Sequence, residues 1–367
     1  MGSTGMMSMV YPIGGSPRDR SVPLITAIMG ECFGGAAWTA SVSDVVIQVK
    51  GTAMCVGGPS ILEIATGEKS SLEELGGWEL HAKVTGQVDL FADNDGDCLA
   101  LVRKSLGYFA GPMASREPAL SGVETLVPAD PRAVYDMHKV VDAICDAESV
   151  LELKPWFDGS LITALARIDG HVVGILANNP KVTAGAMGPG ACEKATSFIC
   201  LCDSFHIPLV FLHDTPGFFV GKRAEEGAMP LKIMNWIEAL HHCTVPRVSV
   251  IVRKSYGMAH CNMSGGNMGN DLLLAWPGAD VSFMAPAVAV NVVYGRKIKD
   301  EAERAALMEQ ISRANAPWDA AGRNLIDKVI DPARTRAELI AALRRARGPD
   351  GRGGRSKRLL ASWPRMA

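Results

Sequence analysis

The sequence predicts an α/β fold with largely parallel strands, and three observations support this class. Short apolar runs rich in β-branched residues alternate with longer helical segments, which is typical of parallel sheets covered by helices. One strand-to-helix passage, VPLITAIMGECFGGAA (22–37), recurs without a gap as VPRVSVIVRKSYGMAH (245–260). The chain has 367 residues, enough for two domains with separate cores. We therefore predict two related α/β units.

The candidate strands are short apolar runs bounded by turn residues. In chain order they are PLITAIM (23–29), DVVIQV (44–49), LITALARI (161–168), HVVGILAN (171–178), PLVFLHD (208–214) and VSVIVR (248–253). The candidate helices are the segments 192–205, 230–243 and 300–313. Only Asp169 and Gly170 separate LITALARI from HVVGILAN, and this two-residue turn signal predicts an antiparallel hairpin.

The segment 111–133 is rich in Pro, Ala and Ser, and we interpret it as a linker between domains. It separates an N-terminal unit at 1–110 from a C-terminal unit at 134–350, and a basic tail follows at 351–367.

The repeat is asymmetric. A hairpin, a helix, a strand and a second helix precede the second copy, whereas 21 mostly polar residues precede the first. Parallel strands need neighbours on both sides to satisfy their backbone groups. We therefore expect the first unit to be incomplete or to be completed by a partner.

Composition excludes several classes of protein. The net charge of −2 provides no basic field for nucleic acid, and no apolar run is long enough to span a membrane. The nine cysteines are odd in number and contain no CxxC pair, so we interpret them as buried reduced thiols and predict no metal site. Reduced thiols and the lack of a visible signal peptide favour a cytoplasmic protein.

The glycine-rich turns that end the repeated strands are the candidate site. Gly34–Ala36 in the first copy falls on Gly257–Ala259 in the second. Glycine permits positive φ and close approach of a substrate to the main chain, and the following helix adds partial positive charge. Such a turn directs backbone N–H groups at one point, where they can stabilise an oxyanion. His260 follows the second turn and is a candidate site histidine, with packing as the alternative role.

At these residues the chain resembles the carboxyltransferase β subunits of biotin-dependent acyl-CoA carboxylases, of the propionyl-CoA carboxylase type. The resemblance extends from about residue 22 to 345. The motifs that carry it, in order, are GECFGGAAWTAS (30–41), GGPSILEIATGE (57–68), EELGGWELHAKVTGQVD (73–89), YDMHKVVDAICD (135–146), ANNPKVTAGAM (177–187), EKATSFICLCDSFHIPLVFLHDTPGFFVG (193–221), VPRVSVIVRKSYGMAH (245–260) and LLLAWPGADVSFM (272–284).

The resemblance implies two crotonase-like (ClpP-like) domains, each a spiral of ββα units, which accounts for the repeat. It also implies a role for each turn. The matching donors Gly34 and Gly35 would hold the acyl-CoA thioester oxygen as an enolate develops. In the second turn, Met258 and Ala259 would hold the ureido oxygen of carboxybiotin.

The residues beside these donors are implied to bind substrate. They are Ala36, Gly257, His260 and Cys261. Members of the family usually carry glycine at the position of Met258. Relatives of the propionyl type carry an acyl-selecting Asp at the position of Cys261.

The resemblance further implies an acyl-CoA substrate, and biotin that arrives on a separate carrier protein linked to a biotin carboxylase. This chain has no Met-Lys-Met biotinylation motif. Family active sites form between two subunits, so a homo-oligomer is expected, a dimer or larger.

Three functions remain open at this point. The first is transfer of a carboxyl group from carboxybiotin to the α-carbon of an acyl-CoA. The second is decarboxylation of a carboxy-acyl-CoA, with or without biotin, which Met258 motivates. The third is a non-catalytic truncated subunit, motivated by the short segment before the first copy. The sequence does not identify the acyl group.

Overall fold

The computed structural model describes residues 22–295, 298 and 300–346. The expected polar leader and the basic tail at 351–367 lie outside these residues. The described chain forms two compact units. The first comprises residues 22–110 and 154–157, and the second comprises 111–153 and the described residues from 158 onward. The segment 111–133, interpreted as a linker, thus belongs to the second unit.

The first unit alternates short strands and helices. Its strands are β1 (Ile25–Ile28), β2 (Glu31–Phe33), β3 (Val45–Val49), β4 (Ala53–Cys55) and β5 (Leu90–Ala92). Its helices are α1 (Gly35–Ser41), α2 (Pro59–Thr66), α3 (Leu72–Gly76), a π-helix (Leu80–Val84) and α4 (Asp95–Gly107).

Two parallel sheets organise the first unit. Strands β1, β3 and β5 form one sheet in that order, and β2 pairs with β4 in the other. All five residues of β3 are buried, as its central position requires. Strand β1 lies at the edge, since no strand in the described part of the chain pairs with its other side.

The second unit is larger. Its strands are β6 (Leu151–Leu153), β7 (Leu161–Ile168), β8 (His171–Asn178), β9 (Leu209–Thr215), β10 (Arg247–Tyr256), β11 (Leu272–Ala275), β12 (Asp280–Ser282) and β13 (Lys328–Val329). Its helices are α5 (Met137–Ile144), α6 (Pro189–Ser204), α7 (Lys222–Glu226), α8 (Met229–His242), α9 (Met258–Asn262), α10 (Pro286–Val293), α11 (Glu301–Ala314), α12 (Pro317–Gly322) and α13 (Thr335–Ala346). Short 3₁₀ turns lie at Val123–Thr125, Thr183–Gly185 and Pro332–Arg334.

One mixed sheet runs through the second unit in the order β13-β11-β10-β9-β8-β7-β6, and β12 pairs with the end of β10. The pairs from β8 to β13 are parallel, whereas β7 is antiparallel to both β6 and β8. Asp169 and Gly170, with φ of 55° and 74°, make the tight turn between β7 and β8. The predicted hairpin is therefore confirmed.

The internal repeat is structural. Strand β1 pairs with β3 through Ile25 and Val45. Val248, which aligns with Ile25, pairs in the same way with Leu272 of β11. Strands β2 and β4 correspond in the same way to the end of β10 and to β12. The difference lies on the other side, where β10 pairs with β9 and β1 has no such neighbour among the described residues.

Candidate functional site

The first turn directs backbone donors away from its own strand. Gly34 precedes α1 with φ 56° and ψ −124°, a conformation that favours glycine. Its N–H donates to the carbonyl of Val56 at 3.1 Å. Helix α1 begins at Gly35, and the N–H groups of Gly35 and Ala36 have no acceptor in the described part of the chain. These two adjacent donors are therefore available to a ligand.

The second turn repeats this arrangement. Gly257 has φ 58° and ψ −144°, and its N–H donates to the carbonyl of Ser282 at 2.8 Å. Helix α9 begins at Met258, and the N–H groups of Met258 and Ala259 likewise find no acceptor among the described residues. Ala259 is buried, whereas Met258 is 43% exposed beside the donors.

The hydrogen bonds correct one expected assignment. Gly34 was expected to donate with Gly35, but the N–H of Gly34 is already used within the turn. The available pair is Gly35 and Ala36, which is the pair that aligns with Met258 and Ala259. Gly34 and Gly257 instead provide the positive φ that turns each strand into its helix.

His260 and Cys261, which were expected to bind substrate, lie on helix α9. The Nδ1 atom of His260 is 2.9 Å from the hydroxyl oxygen of Ser255. Burial lowers the pKa of His260 to about 4, so its ring is neutral at physiological pH. Cys261 is half-buried, and its Sγ accepts a hydrogen bond from Asn267 at 3.3 Å.

A buried polar chain behind this turn was not predicted from the sequence. Ser255 Oγ also lies 2.9 Å from Nδ1 of His213, which is on the adjacent strand β9. Both residues are fully buried. Ser255 lies two residues before Gly257 of the second turn, but no pattern in the sequence indicates that His213, 42 positions earlier, is its partner.

A buried charged network lies where β9 and β10 run side by side. The carboxylate of Asp214 accepts hydrogen bonds from Tyr135 at 2.7 Å and from Nε of Arg253 at 3.0 Å. The ammonium of Lys254 is 3.5 Å from the same carboxylate. Burial lowers the pKa of Lys254, and it raises the pKa of Tyr135, which the Asp214 charge raises further. The network thus connects three chain segments through one buried carboxylate.

The first unit contains a cavity of about 550 Å³ beside helix α1. Its lining is mostly apolar and includes Trp38, Val56, Ile61 and Leu62. His81, on the π-helix, also lines it and approaches the Met54 carbonyl through Nε2 at 2.6 Å. Burial lowers the pKa of His81, so the ring is neutral and fixed by its backbone contact.

No group of three or more His, Cys, Asp or Glu side chains that could hold a metal occurs in residues 22–295, 298 and 300–346. All nine cysteines are free thiols in these residues. None of the described helices combines the length and apolarity needed to cross a bilayer.

Comparison with known proteins places this geometry in a family. The model of the carboxyl transferase domain matches residues 16–348. The chain is 34% identical over 333 residues to the methylmalonyl-CoA decarboxylase subunit alpha of Veillonella parvula, covering 88% of this chain and 65% of that protein. It is 35% identical over 337 residues to the methylmalonyl-CoA carboxyltransferase 12S subunit of Propionibacterium freudenreichii subsp. shermanii, covering 88% and 64%.

A solved structure agrees with the sequence match. A transcarboxylase 12S crystal structure with methylmalonyl-coenzyme A and methylmalonic acid bound, described as a hexamer assembly, superposes with a TM-score of 0.84 at 35% identity. The alignment covers 90% of this chain and 66% of that one. The chain thus spans about 65% of the length of the curated relatives it matches.

The predicted crotonase-like α/β fold is confirmed. The chain therefore belongs to the carboxyl transferase domain family of the biotin-dependent acyl-CoA carboxylases.

Proposed function

We propose that this chain transfers a carboxyl group from carboxybiotin, carried on a separate protein, to the α-carbon of an acyl-CoA. The observation that carries the proposal is the pair of equivalent turns, each with two adjacent backbone donors that lack an acceptor in the described residues. In a family that handles CoA thioesters, such donors suit oxygens that gain negative charge during the reaction.

In the first unit, the N–H groups of Gly35 and Ala36 would bind the thioester oxygen. Loss of the α-proton places negative charge on that oxygen, and the donors at the start of α1 stabilise the enolate. The α-carbon of the enolate would then form its bond to the carboxyl carbon as the bond from that carbon to the ureido nitrogen breaks, and this nitrogen would take the proton lost from the α-carbon. The absence of a side chain at Gly35 leaves the main chain open to the thioester.

In the second unit, the N–H groups of Met258 and Ala259 would bind the ureido oxygen of biotin. Their lack of an acceptor among the described residues fits such a ligand. Carboxybiotin, when bound, supplies the carboxyl group and a ureido nitrogen that can take up the α-proton. The two turns therefore stabilise charge on the acceptor and on the donor of the same carboxyl group.

Decarboxylation of a carboxy-acyl-CoA is the second candidate. Met258 favours it, because its side chain is 43% exposed beside the donors at a position where the family resemblance implies glycine. One similar protein is itself named a methylmalonyl-CoA decarboxylase subunit. The enolate formed by loss of CO₂ would use the same Gly35 and Ala36 donors.

The test uses the purified chain with malonyl-CoA or methylmalonyl-CoA, and follows loss of the carboxylate with and without free biotin. Loss that requires biotin supports carboxyl transfer running in reverse. Loss without biotin supports the decarboxylase. No loss in either condition, from a chain shown to be folded by circular dichroism, contradicts both and favours a non-catalytic subunit.

We also propose that the chain assembles with copies of itself. Helix α2 exposes Ile64 at 88%, and helix α10, its counterpart in the repeat, exposes Val292 at 66%. Exposed apolar side chains on a helix of each unit suit a protein–protein surface. Light scattering should give a mass of at least two chains at micromolar concentration, and a monomer would contradict the proposal.

A further inference from the structure

The side chains of Ser255 and His260 connect the two ends of the second turn. Ser255 is near the end of β10, and His260 is on α9. The hydroxyl oxygen of Ser255 lies 2.9 Å from Nδ1 of His260. Between them lie Gly257, which makes the turn, and the two donor residues Met258 and Ala259. A single hydrogen bond therefore spans the segment that positions both donors.

The same hydroxyl is anchored on its other side. Nδ1 of His213 lies 2.9 Å from Ser255 Oγ, and the two imidazole rings stand 5.8 Å apart at 64°. His213 and Ser255 are fully buried on the neighbouring strands β9 and β10. The second turn is thus hydrogen-bonded to the buried neighbouring strand β9 as well as across its own two ends.

The chain of hydrogen bonds has a direction. Burial lowers the pKa of both histidines, and the His260 charge would lower that of His213 further, so both rings are neutral. Each neutral ring carries one N–H, and Ser255 has one O–H to donate. The serine must therefore donate to one Nδ1 and accept from the other.

The other ring nitrogen of His213 does not share this role. Its Nε2 is buried and makes no hydrogen bond in the described residues. Among the described residues, His213 therefore joins the chain of hydrogen bonds through its Nδ1 atom alone.

Gly265 packs closely against His260. A Cβ added to Gly265 would lie 2.2 Å from Nε2 of His260, so the ring fits only beside a residue without a side chain. The N–H of Gly265 also donates to the carbonyl of His260 at 2.9 Å. Both the ring and the backbone of His260 therefore contact this glycine.

The first turn lacks an equivalent side-chain hydrogen bond across its two ends. Cys32 and Ala37 occupy the aligned positions of Ser255 and His260. Ala37 has no polar side-chain atom that could reach back across the turn. The polar chain is therefore specific to the second turn and is not a requirement of the shared backbone.

We propose that His213, Ser255 and His260 form a clamp that fixes the Met258 and Ala259 donors, with His260 as a positioning residue. The clamp is a property of the folded chain, whereas its effect on catalysis rests on the proposed carboxyl transfer. In that reaction the clamp would keep the ureido-binding donors aligned, and it would leave the acyl-CoA side unaffected.

The primary test measures amide hydrogen exchange in the full chain and compares Ser255→Ala with Ser249→Ala. Both serines are fully buried on β10, but Ser249 Oγ donates to the Ser264 carbonyl and not to a turn residue. Loss of the clamp should speed exchange of the hydrogen-bonded amides of Gly257 and Met263 by about tenfold, the effect of one lost buried hydrogen bond. The same amides should exchange at the wild-type rate in Ser249→Ala. Equal exchange in the two variants would overturn the clamp, whether or not the chain is active.

The hydrogen-bond chain and the catalytic effect have separate measurements. Imidazole ¹⁵N chemical shifts should show a proton on only one of the two Nδ1 atoms, His213 or His260, and protons on both or on neither would overturn the chain. In an active chain, His260→Leu should lower biotin-dependent turnover about tenfold with unchanged affinity for acyl-CoA. His260→Asn, whose amide can reach the Nδ1 position, should recover most of that loss. Equal turnover of the Leu and Asn variants would contradict the positioning role.

Discussion

Gly34 and Gly257 adopt nearly the same backbone conformation, with φ of 56° and 58° and ψ of −124° and −144°. Each donates its N–H to a carbonyl at the end of the neighbouring strand, that of Val56 directly after β4 and that of Ser282 at the last residue of β12. The two glycines therefore have a structural task, which is to turn the chain so that the next two N–H groups point outward. The donor residues that follow are not restricted to glycine, since they are Gly35 and Ala36 in one turn and Met258 and Ala259 in the other.

The two glycines should differ in their tolerance of a side chain. Positive φ costs a non-glycine residue roughly 1–2 kcal/mol. An added Cβ would also lie 3.1 Å from the Phe283 carbonyl at Gly257, but 4.0 Å from the Val56 carbonyl at Gly34. We expect Gly257→Ala to lower the free energy of unfolding by about 2 kcal/mol and Gly34→Ala by about 1 kcal/mol, measured by urea unfolding.

Two other glycines provide the controls for this comparison. Gly30 and Gly278 have no positive φ, and a Cβ at either would meet nothing within 4 Å. Alanine at these positions should leave the unfolding midpoint unchanged. If Gly257→Ala lowered the free energy of unfolding no more than Gly278→Ala, the positive φ at Gly257 would not be needed for stability.

The donor assignment in the first turn can be tested at Gly35. Proline is tolerated at the first position of a helix and lacks an N–H, so Gly35→Pro should remove one donor and keep α1 intact. Carboxylate loss from methylmalonyl-CoA should fall by about 10²–10³-fold, as for other lost oxyanion donors. Gly35→Ala is the matched comparison, because it keeps the N–H and adds only a methyl group, so it should retain far more of the rate than Gly35→Pro. Unchanged turnover of folded Gly35→Pro would exclude this donor.

Asp214 is expected to be a stability determinant. Its carboxylate is fully buried and pairs with Arg253 at 3.0 Å and Lys254 at 3.5 Å. Asp214→Asn would leave two buried cations without a counter-charge, which should cost about 3 kcal/mol of unfolding free energy. Glu309→Gln, which breaks an exposed pair with Arg313 on α11, should produce no measurable change. Equal midpoints for the two variants would contradict a stabilising role for the buried network.

The sequence predicted the long elements well because their apolar patterns are strong. Strands β7 and β8 match their predicted bounds, and the predicted helices at 192–205 and 230–243 begin within three residues of α6 and α8. The strand predicted at 248–253 continues to Tyr256, because β12 pairs with its polar end. That pairing is a long-range contact, which local composition does not reveal.

The sequence predicts a candidate site at the two glycine turns, but not which backbone groups are available there. The choice between Gly34 and Ala36 depended on a hydrogen bond to Val56. The clamp required the sheet order, because His213 and Ser255 become neighbours only when β9 pairs with β10. Short strands such as β2 and β13 are two or three residues long and carry no readable pattern.

The pH dependence of stability should report the ion-pair cluster at the start of α5. His138 lies 2.9 Å from Glu152 through Nε2 and 2.6 Å from Asp136 through Nδ1. The hydrogen bond to Glu152, and less strongly that to Asp136, raise the pKa of His138 to about 9 against the effect of burial. Burial alone would raise the pKa of Asp136, but hydrogen bonds from His138 and Lys181 lower it to about 2.

A folded-state pKa above the unfolded value of about 6.5 means that the folded chain binds the proton more tightly. The stabilisation from His138 is therefore fully present below about pH 6.5 and is lost as the pH rises through about 9. We expect the melting temperature of the wild type to fall between pH 7 and pH 10 more steeply than that of His138→Gln, because glutamine does not titrate. Parallel curves for the two proteins across this range would show that the imidazole is not charged in the folded chain. The pKa of Asp136 is about 2, so this carboxylate stays charged between pH 5 and pH 6.5. In that range the difference in melting temperature between the two proteins should be constant. The comparison thus separates loss of the His138 proton from protonation of Asp136.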